Sequence, residues 1–319
     1  MISDDIVDEY VSEGNSQDSG DNQKSRREKL GQEHLMRIIE EDEEMGGVYV
    51  EITGSQGSGK TSVLLALQSD YTKNYPNDKC FWASTYNAPL QFTKLGNGKY
   101  HIMILEGSNV EIRDREQNGR LVNFPNKHCP FPITYFSTYN ELWDKAKPGM
   151  CNAVFFGDKK IWMDFLFFLR SKYEWAHIFI DEFSEVAPSD SKDVGWQRIR
   201  RFAEDIKEIR KCNKNIVTDS QTSTDVDYRV RRKIMIRIFL PGAKTDKKTR
   251  VYQRAVDNLV KDRVNGNMAY IDYDGKFGCI RFRNIYKPNK EINWEAHIVI
   301  PGEEDIGNQT ITPRAIDSQ

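Results

Sequence analysis

The chain has 319 residues, 38% of them hydrophobic and 11% aromatic, enough for one large α/β domain with appendages or for two small domains. Charged residues make up 29% and the net charge is −2, so the chain as a whole is not a polybasic nucleic-acid binder and any such contact must come from a local patch. Its five cysteines, Cys80, Cys129, Cys151, Cys212 and Cys279, are scattered and form no C-x-x-C pair, which argues against a disulfide framework or zinc ribbon and for free thiols in a reducing compartment.

Residues 1–32 are rich in Asp, Glu, Ser, Gly, Asn and Gln and read as a disordered acidic tail. A short helix is expected over 33–45, and residues 1–45 carry 14 acidic and 5 basic residues, a net of −9. The opening residues lack the apolar segment of a signal peptide, and no run approaches the ~20 apolar residues of a membrane span. A cytoplasmic protein without a membrane span is the expectation.

The ordered domain is expected over 33–302, with its first strand at Val48 to Thr53. A Gly-rich loop follows at Gly54 to Ser62, and a helix begins at Val63. Lys79 to Ser84 reads as a strand, and 86–130 as an insertion. Within it, Tyr100 to Leu105 and Asn109 to Arg113 flank Gly107-Ser108, which predicts a hairpin. Strand and helix signals then alternate. Strands are expected at Pro132–Phe136, Asn152–Phe156, His177–Ile180, Asn215–Asp219 and Ile234–Leu240. Helices are expected at Tyr139–Ala146, Ile161–Tyr173, Val194–Lys211 and Asp225–Arg232. Such alternation predicts an α/β fold with a mostly parallel sheet flanked by helices. A second hairpin is expected where Met268–Tyr273 and Phe277–Arg283 flank Asp274-Gly275, and 303–319 reads as a polar tail.

Gly54-Ser55-Gln56-Gly57-Ser58-Gly59-Lys60-Thr61 matches the phosphate-loop pattern G-x-x-x-x-G-K-[ST], and Ser62 follows it into the helix. Glycines let backbone N–H groups converge on one anion, and the helix that follows points its positive end there. Lys60 is the residue expected to reach the β/γ-phosphates, and the Thr61 hydroxyl to ligate Mg²⁺. An apolar strand leads into the loop and an apolar helix leads out, which separates it from a chance Gly/Ser turn.

Trp175 to Glu182 is an apolar strand that ends in two acids. Adjacent carboxylates there are costly without cationic or polar partners. A metal ion and an attacking water are such partners. Asp181 is expected to hold Mg²⁺, and Glu182 to orient and deprotonate the water. The bland alternative is an acidic loop edge. No N-K-x-D guanine motif is present, since Asn213-Lys214-Asn215-Ile216 lacks the Asp, so ATP is favoured over GTP.

The strand Asn215 to Gln221 ends in polar residues. If it lies beside the Asp181 strand, Gln221 can reach the γ-phosphate or the water; otherwise it is a surface glutamine. Arg229 and Arg231 follow, and either can neutralise charge on a transferring phosphoryl group, or simply belong to a solvated basic helix. From Gln197 to Arg254 there are 17 basic and 7 acidic residues, a net of +10. That excess can line a phosphate-backbone channel for DNA or form a salt-bridged helix face.

Together, Gly54 to Thr61, Ile178 to Glu182 and Ile216 to Gln221 resemble the HerA/FtsK superfamily of P-loop motor ATPases. The layout is also similar to zonular-occludens-toxin-type and archaeal viral or plasmid DNA-packaging ATPases, in which a basic pair like Arg210-Lys211 precedes the sensor strand. The resemblance spans roughly residues 46–240. It implies a RecA-like core, ATP hydrolysis with Mg²⁺, a ring-shaped and often hexameric homo-oligomer, and DNA pumping. It makes Gln221 the sensor and Arg231 the first candidate for the arginine finger, with Arg229 next. Toxin-type members often carry a membrane span, which is not visible here. The 86–130 insertion matches no part of the family and is a candidate protein-partner site.

The leading expectation is therefore an ATP-driven DNA translocase or packaging motor. The alternatives are a non-motor assembly ATPase that binds protein partners according to nucleotide state, and a small-molecule kinase. Glu182 suits water activation better than it suits a kinase.

Overall fold

A computed structural model describes residues 46–83, 100–107, 110–115, 121–123, 132–156, 161–190, 195–245, 253–261, 268–273, 276–281 and 294–298. The tails at 1–32 and 303–319, the helix expected over 33–45 and much of the 86–130 insertion lie outside these residues.

The strands are β1 (Tyr49–Thr53), β2 (Lys79–Ala83), β3 (Tyr100–Leu105), β4 (Val110–Arg115), β5 (Leu121–Asn123), β6 (Ile133–Phe136), β7 (Cys151–Phe155), β8 (Ala176–Ile180), β9 (Lys214–Ser220), β10 (Ile236–Phe239), β11 (Met268–Tyr273), β12 (Lys276–Arg281) and β13 (Trp294–Ile298). The helices are α1 (Lys60–Asn74), α2 (Tyr139–Lys145), α3 (Ile161–Phe168), α4 (Trp196–Lys211), α5 (Tyr228–Arg231) and α6 (Gln253–Lys261). Ten strands form one sheet in the order β12-β11-β10-β1-β9-β8-β2-β7-β3-β6. From β10 to β6 every pairing is parallel, and β11 and β12 add an antiparallel hairpin at one edge. That hairpin is the one expected around Asp274-Gly275.

The sheet is buried on both faces, which explains why its inner strands read as unbroken apolar runs. In β1, Val50 and Ile52 pack with Val63, Leu64, Leu67 and Tyr71 of α1, whereas Tyr49 points to the opposite core. That second core takes Leu142 and Trp143 of α2, Phe165 and Leu166 of α3, and Ile199, Phe202, Ile206 and Ile209 of α4. Helix α4 shows how a charged segment becomes a helix. Its buried residues recur at helical spacing, and its arginines, lysines and glutamates occupy the remaining positions.

The expected hairpin around Gly107-Ser108 does not form. Strand β3 lies in the large sheet between β7 and β6, parallel to both, while β4 pairs with β13 and β5 in a separate three-stranded sheet. The physical reason is visible in the sequences. Tyr100 to Leu105 is buried at every position, as a central parallel strand must be, and a two-stranded hairpin could not cover both its faces. Residue range 86–130 therefore contains one strand of the main sheet as well as inserted segments. Helix α6 and strand β13 are not among the elements expected from the sequence. Among the described cysteines, Cys80, Cys151 and Cys212 are buried free thiols. No described helix is long and apolar enough to cross a membrane.

Candidate nucleotide site

Because β1, β8 and β9 run parallel, their carboxyl ends emerge on one edge of the sheet, where open α/β sheets bind ligands. Strand β1 ends at Thr53 and runs straight into Gly54. Strand β8 ends at Ile180, followed by Asp181 and Glu182. Strand β9 lies between them and ends at Ser220, followed by Gln221.

The loop from Gly54 to Gly59 is shaped by its glycines. Gly57 and Gly59 have φ of 72° and 94°, in the left-handed region, and a Cβ built on either would point into open space. Gly54 is needed for a different reason, since a Cβ there would stand 2.4 Å from Ser58 Oγ and 2.9 Å from Leu240 Cβ. Ser58 N–H donates to the Ser55 carbonyl at 3.1 Å, and Gly59 caps α1, its carbonyl accepting from Val63 N–H at 3.0 Å. The segment after β10 braces the loop from the side. Leu240 N–H donates to the Thr53 carbonyl at 2.7 Å, and Ser55 Oγ donates to the Pro241 carbonyl at 3.2 Å. Gly242, with φ of 78°, could not carry a Cβ without meeting Ser55 Oγ at 2.5 Å.

Lys60 Nζ donates to the Gly54 carbonyl at 3.0 Å and to the Ser55 carbonyl at 3.3 Å, so its ammonium lies against the loop. The Thr61 hydroxyl donates to Asp181 Oδ1 at 3.4 Å. Residues 120 positions apart thus meet at the mouth of the loop. Glu182 is exposed, with left-handed backbone at φ 53° and ψ 57°, and its N–H donates to Asp219 Oδ1 at 2.5 Å. Asp219 is 1% exposed. Burial first, and then the negative charge of Asp181, raise its carboxyl well above the usual carboxylate range; the Glu182 N–H hydrogen bond, and after it Lys60, oppose that rise only in part.

These contacts bring together the loop residues, Asp181, Glu182 and the unanticipated Asp219. Gln221 lies exposed just past the end of β9, the strand that pairs with β8. The loops after β8 and β9 are stitched by a bridge between Pro188 and Val226 and by hydrogen bonds from Ser189 N–H to Asp225 O and from Asp227 N–H to Ala187 O. Helix α5 follows. The Arg229 guanidinium lies over the rings of Trp196 and Tyr228, 5.0 Å and 5.1 Å from their centres, with Nε 3.4 Å from Asp227 Oδ1. The Arg231 charge acts on Glu51 of β1, and the Arg231 carbonyl accepts from Arg237 Nη2 at 3.0 Å.

Several basic residues of 197–254 are paired, mostly with acids already counted in its net of +10. On α4, Arg198 pairs with Asp164, Arg200 with Glu204, Arg201 with Asp205 and Lys211 with Glu208. Arg210 donates from Nε to the Gly47 carbonyl at 2.7 Å, at the far end of β1 from the loop. Arg232 and Lys233, just past α5, are exposed, as are the half-exposed rings of Trp196 and Tyr228.

A phosphate loop after the first strand, a helix starting at its lysine, and an intervening strand between that loop and the acidic strand end define a P-loop NTPase fold. No family model matches the chain, and no curated protein is similar to it in sequence. Among solved structures it is similar to the genome-packaging NTPase B204 of Sulfolobus turreted icosahedral virus 2, at 10% identity and a TM-score of 0.47, over 75% of this chain and 98% of that one. It is also similar to the pCW3 conjugation coupling protein TcpA, at 10% identity and a TM-score of 0.40, over 77% of this chain and 67% of that one. A third likeness is to the N-terminal domain of zonular occludens toxin from Neisseria meningitidis, at 12% identity and a TM-score of 0.28, over 80% and 96% of the two chains. These likenesses are distant, of the same kinds as those the motifs resemble, and the assignment of the fold rests on the strand order and the loop.

Proposed function

We propose that this chain is an ATP-hydrolysing P-loop motor that translocates or packages DNA as a ring-shaped homo-oligomer. The observation that carries the ATPase part is the 3.4 Å approach of the Thr61 hydroxyl to Asp181 Oδ1 at the mouth of a glycine loop. Two hard oxygen donors there, one of them a carboxylate, suit Mg²⁺, which prefers few protein ligands alongside substrate phosphates. Open left-handed glycines and Lys60 suit a triphosphate.

In this reading the backbone of Gly54 to Ser62 cradles the phosphates, and Lys60 supplies positive charge to the β/γ-phosphates. Thr61 and Asp181 hold the metal, which when bound neutralises charge on the phosphate oxygens. Glu182 accepts a proton from the attacking water, and Gln221 helps to orient that water. An arginine of α5, Arg231 before Arg229, neutralises charge at a neighbouring subunit's site. Arg229 would have to leave its aromatic clamp to act in that way.

The DNA part is supported by the motif resemblance, by the net charge of +10 over 197–254 and by the exposure of Arg232 and Lys233 just past α5. Phosphate contacts of this kind weaken steeply as salt rises. The test is ATP turnover with and without duplex DNA, at low and moderate salt, alongside negative-stain imaging with ATP. Duplex-stimulated turnover that fades with salt, together with rings, is the expected result. Turnover indifferent to every DNA and RNA tried would sink the motor reading and leave the assembly ATPase.

A further inference from the structure

Glu182 has a backbone conformation that glutamate seldom adopts. Among the described residues only Glu182 and Asn213 combine a side chain with positive φ, and asparagine tolerates that region far better. A glutamate held there is kept by its surroundings, and such outliers gather at functional sites. The surrounding group on the page is Asp219, whose Oδ1 accepts the Glu182 N–H at 2.5 Å. Its place follows from register. Strands β8 and β9 pair up to Ile180 opposite Thr218, so the next residue of β9 faces the turn where β8 gives way to Asp181 and Glu182. Buried at 1% exposure, Asp219 cannot swing into solvent to release this contact.

From this geometry we infer that Asp219 is a positioning residue for Glu182: by accepting the Glu182 N–H it fixes the turn after β8 and so aims the Glu182 carboxylate at the water site. The inference rests on the proposed role of Glu182 as general base. Asp219 touches neither substrate nor water in this account. It acts on turnover through the direction of the Glu182 side chain, where a misplacement of about 1 Å can cost on the order of 100-fold in rate.

The test compares Asp219→Ala, which removes the acceptor, with Asp219→Asn, which keeps a carbonyl oxygen at Oδ1 and offers an N–H toward Asp181. Turnover, nucleotide affinity read with a fluorescent ATP analogue, and Mg²⁺ dependence are measured for each, alone and combined with Glu182→Gln. Asp219→Ala is expected to lower kcat about 30- to 100-fold while leaving nucleotide affinity and the Mg²⁺ midpoint within about threefold. Asp219→Asn is expected to stay within about threefold of wild type. In the Glu182→Gln background, Asp219→Ala is expected to add no further loss. An equal loss in both Asp219 variants, a shifted Mg²⁺ midpoint, or a full additional loss on top of Glu182→Gln overturns the inference. If Asp219→Ala fails to fold, Asp219→Asn decides alone, and a tenfold drop in its kcat at unchanged affinity overturns it. Failure of the Glu182 reading has a separate signature, namely wild-type turnover in Glu182→Gln by itself.

Discussion

Glu51 is a carboxylate in the middle of β1, the strand that carries the phosphate loop, and it is 1% exposed. Thr218 of β9 and Arg237 of β10 lie opposite it in register. Ser220 Oγ donates to its Oε1 at 3.3 Å, while Arg237 also stands 3.5 Å from Asp272. Burial raises the Glu51 carboxyl from 4.5 to about 7, against the opposing pull of Arg237. The folded state therefore holds this proton more tightly than the unfolded chain. That contribution is fully present below about pH 4.5 and fades as pH climbs through about 7. The interval corresponds to about 3 kcal/mol of stability lost by pH 8. Glu51→Gln removes the ionisation and keeps an acceptor for Ser220. At pH 8 the variant should be more stable than wild type by about 3 kcal/mol, or about 6 to 12 °C in Tm for a domain of this size. At pH 5 the two should be close. Urea or thermal unfolding at both pH values measures the difference directly. A wild-type-to-variant gap that is the same at pH 5 and pH 8 refutes the argument, because only a titrating group can make it vary.

Gly54→Ala places a methyl against Leu240 Cβ as well as Ser58 Oγ, and only the latter can rotate away; nucleotide affinity should fall at least about tenfold while circular dichroism stays native. Lys214→Met should cost about 2 to 4 kcal/mol in urea unfolding, since the buried Nζ donates to the carbonyls of Lys172, Glu174 and Cys212 and their partner would be lost; a loss below about 1 kcal/mol would show that those carbonyls find other partners. Gly242→Ala should weaken nucleotide binding through Ser55, a residue it touches from the β10 side; unchanged affinity would mean that this brace does not shape the loop.

The phosphate loop was legible because everything that makes it is local: one strand, three spaced glycines, a lysine and a helix start. Asp181 and Glu182 were legible for a similar reason, since two acids closing an apolar strand are expensive without partners. Asp219 does not stand out in the sequence, although it lies two residues before Gln221 in a strand otherwise apolar at its centre. Its importance comes from lying across from Glu182, and that pairing spans 37 positions. The same holds for Glu51 and Arg237, neighbours only because β1 and β10 pair. Strand β3 reads locally as half of a hairpin because Gly107-Ser108 separates two apolar runs, whereas its partners β6 and β7 come from distant parts of the chain. Strand β13 is hidden for the same reason, its partner β4 lying far upstream. Local chemistry reads from a sequence, and register between distant strands does not.

The proposed ATPase requires that Glu182 activate water beside a triphosphate held by Lys60, Thr61 and Asp181. Single-turnover ATP hydrolysis by Glu182→Gln, with nucleotide affinity measured in parallel, addresses this most directly. Binding within about threefold of wild type with hydrolysis slowed at least about 100-fold is the expected pair of results. Hydrolysis at the wild-type rate with intact binding would contradict it.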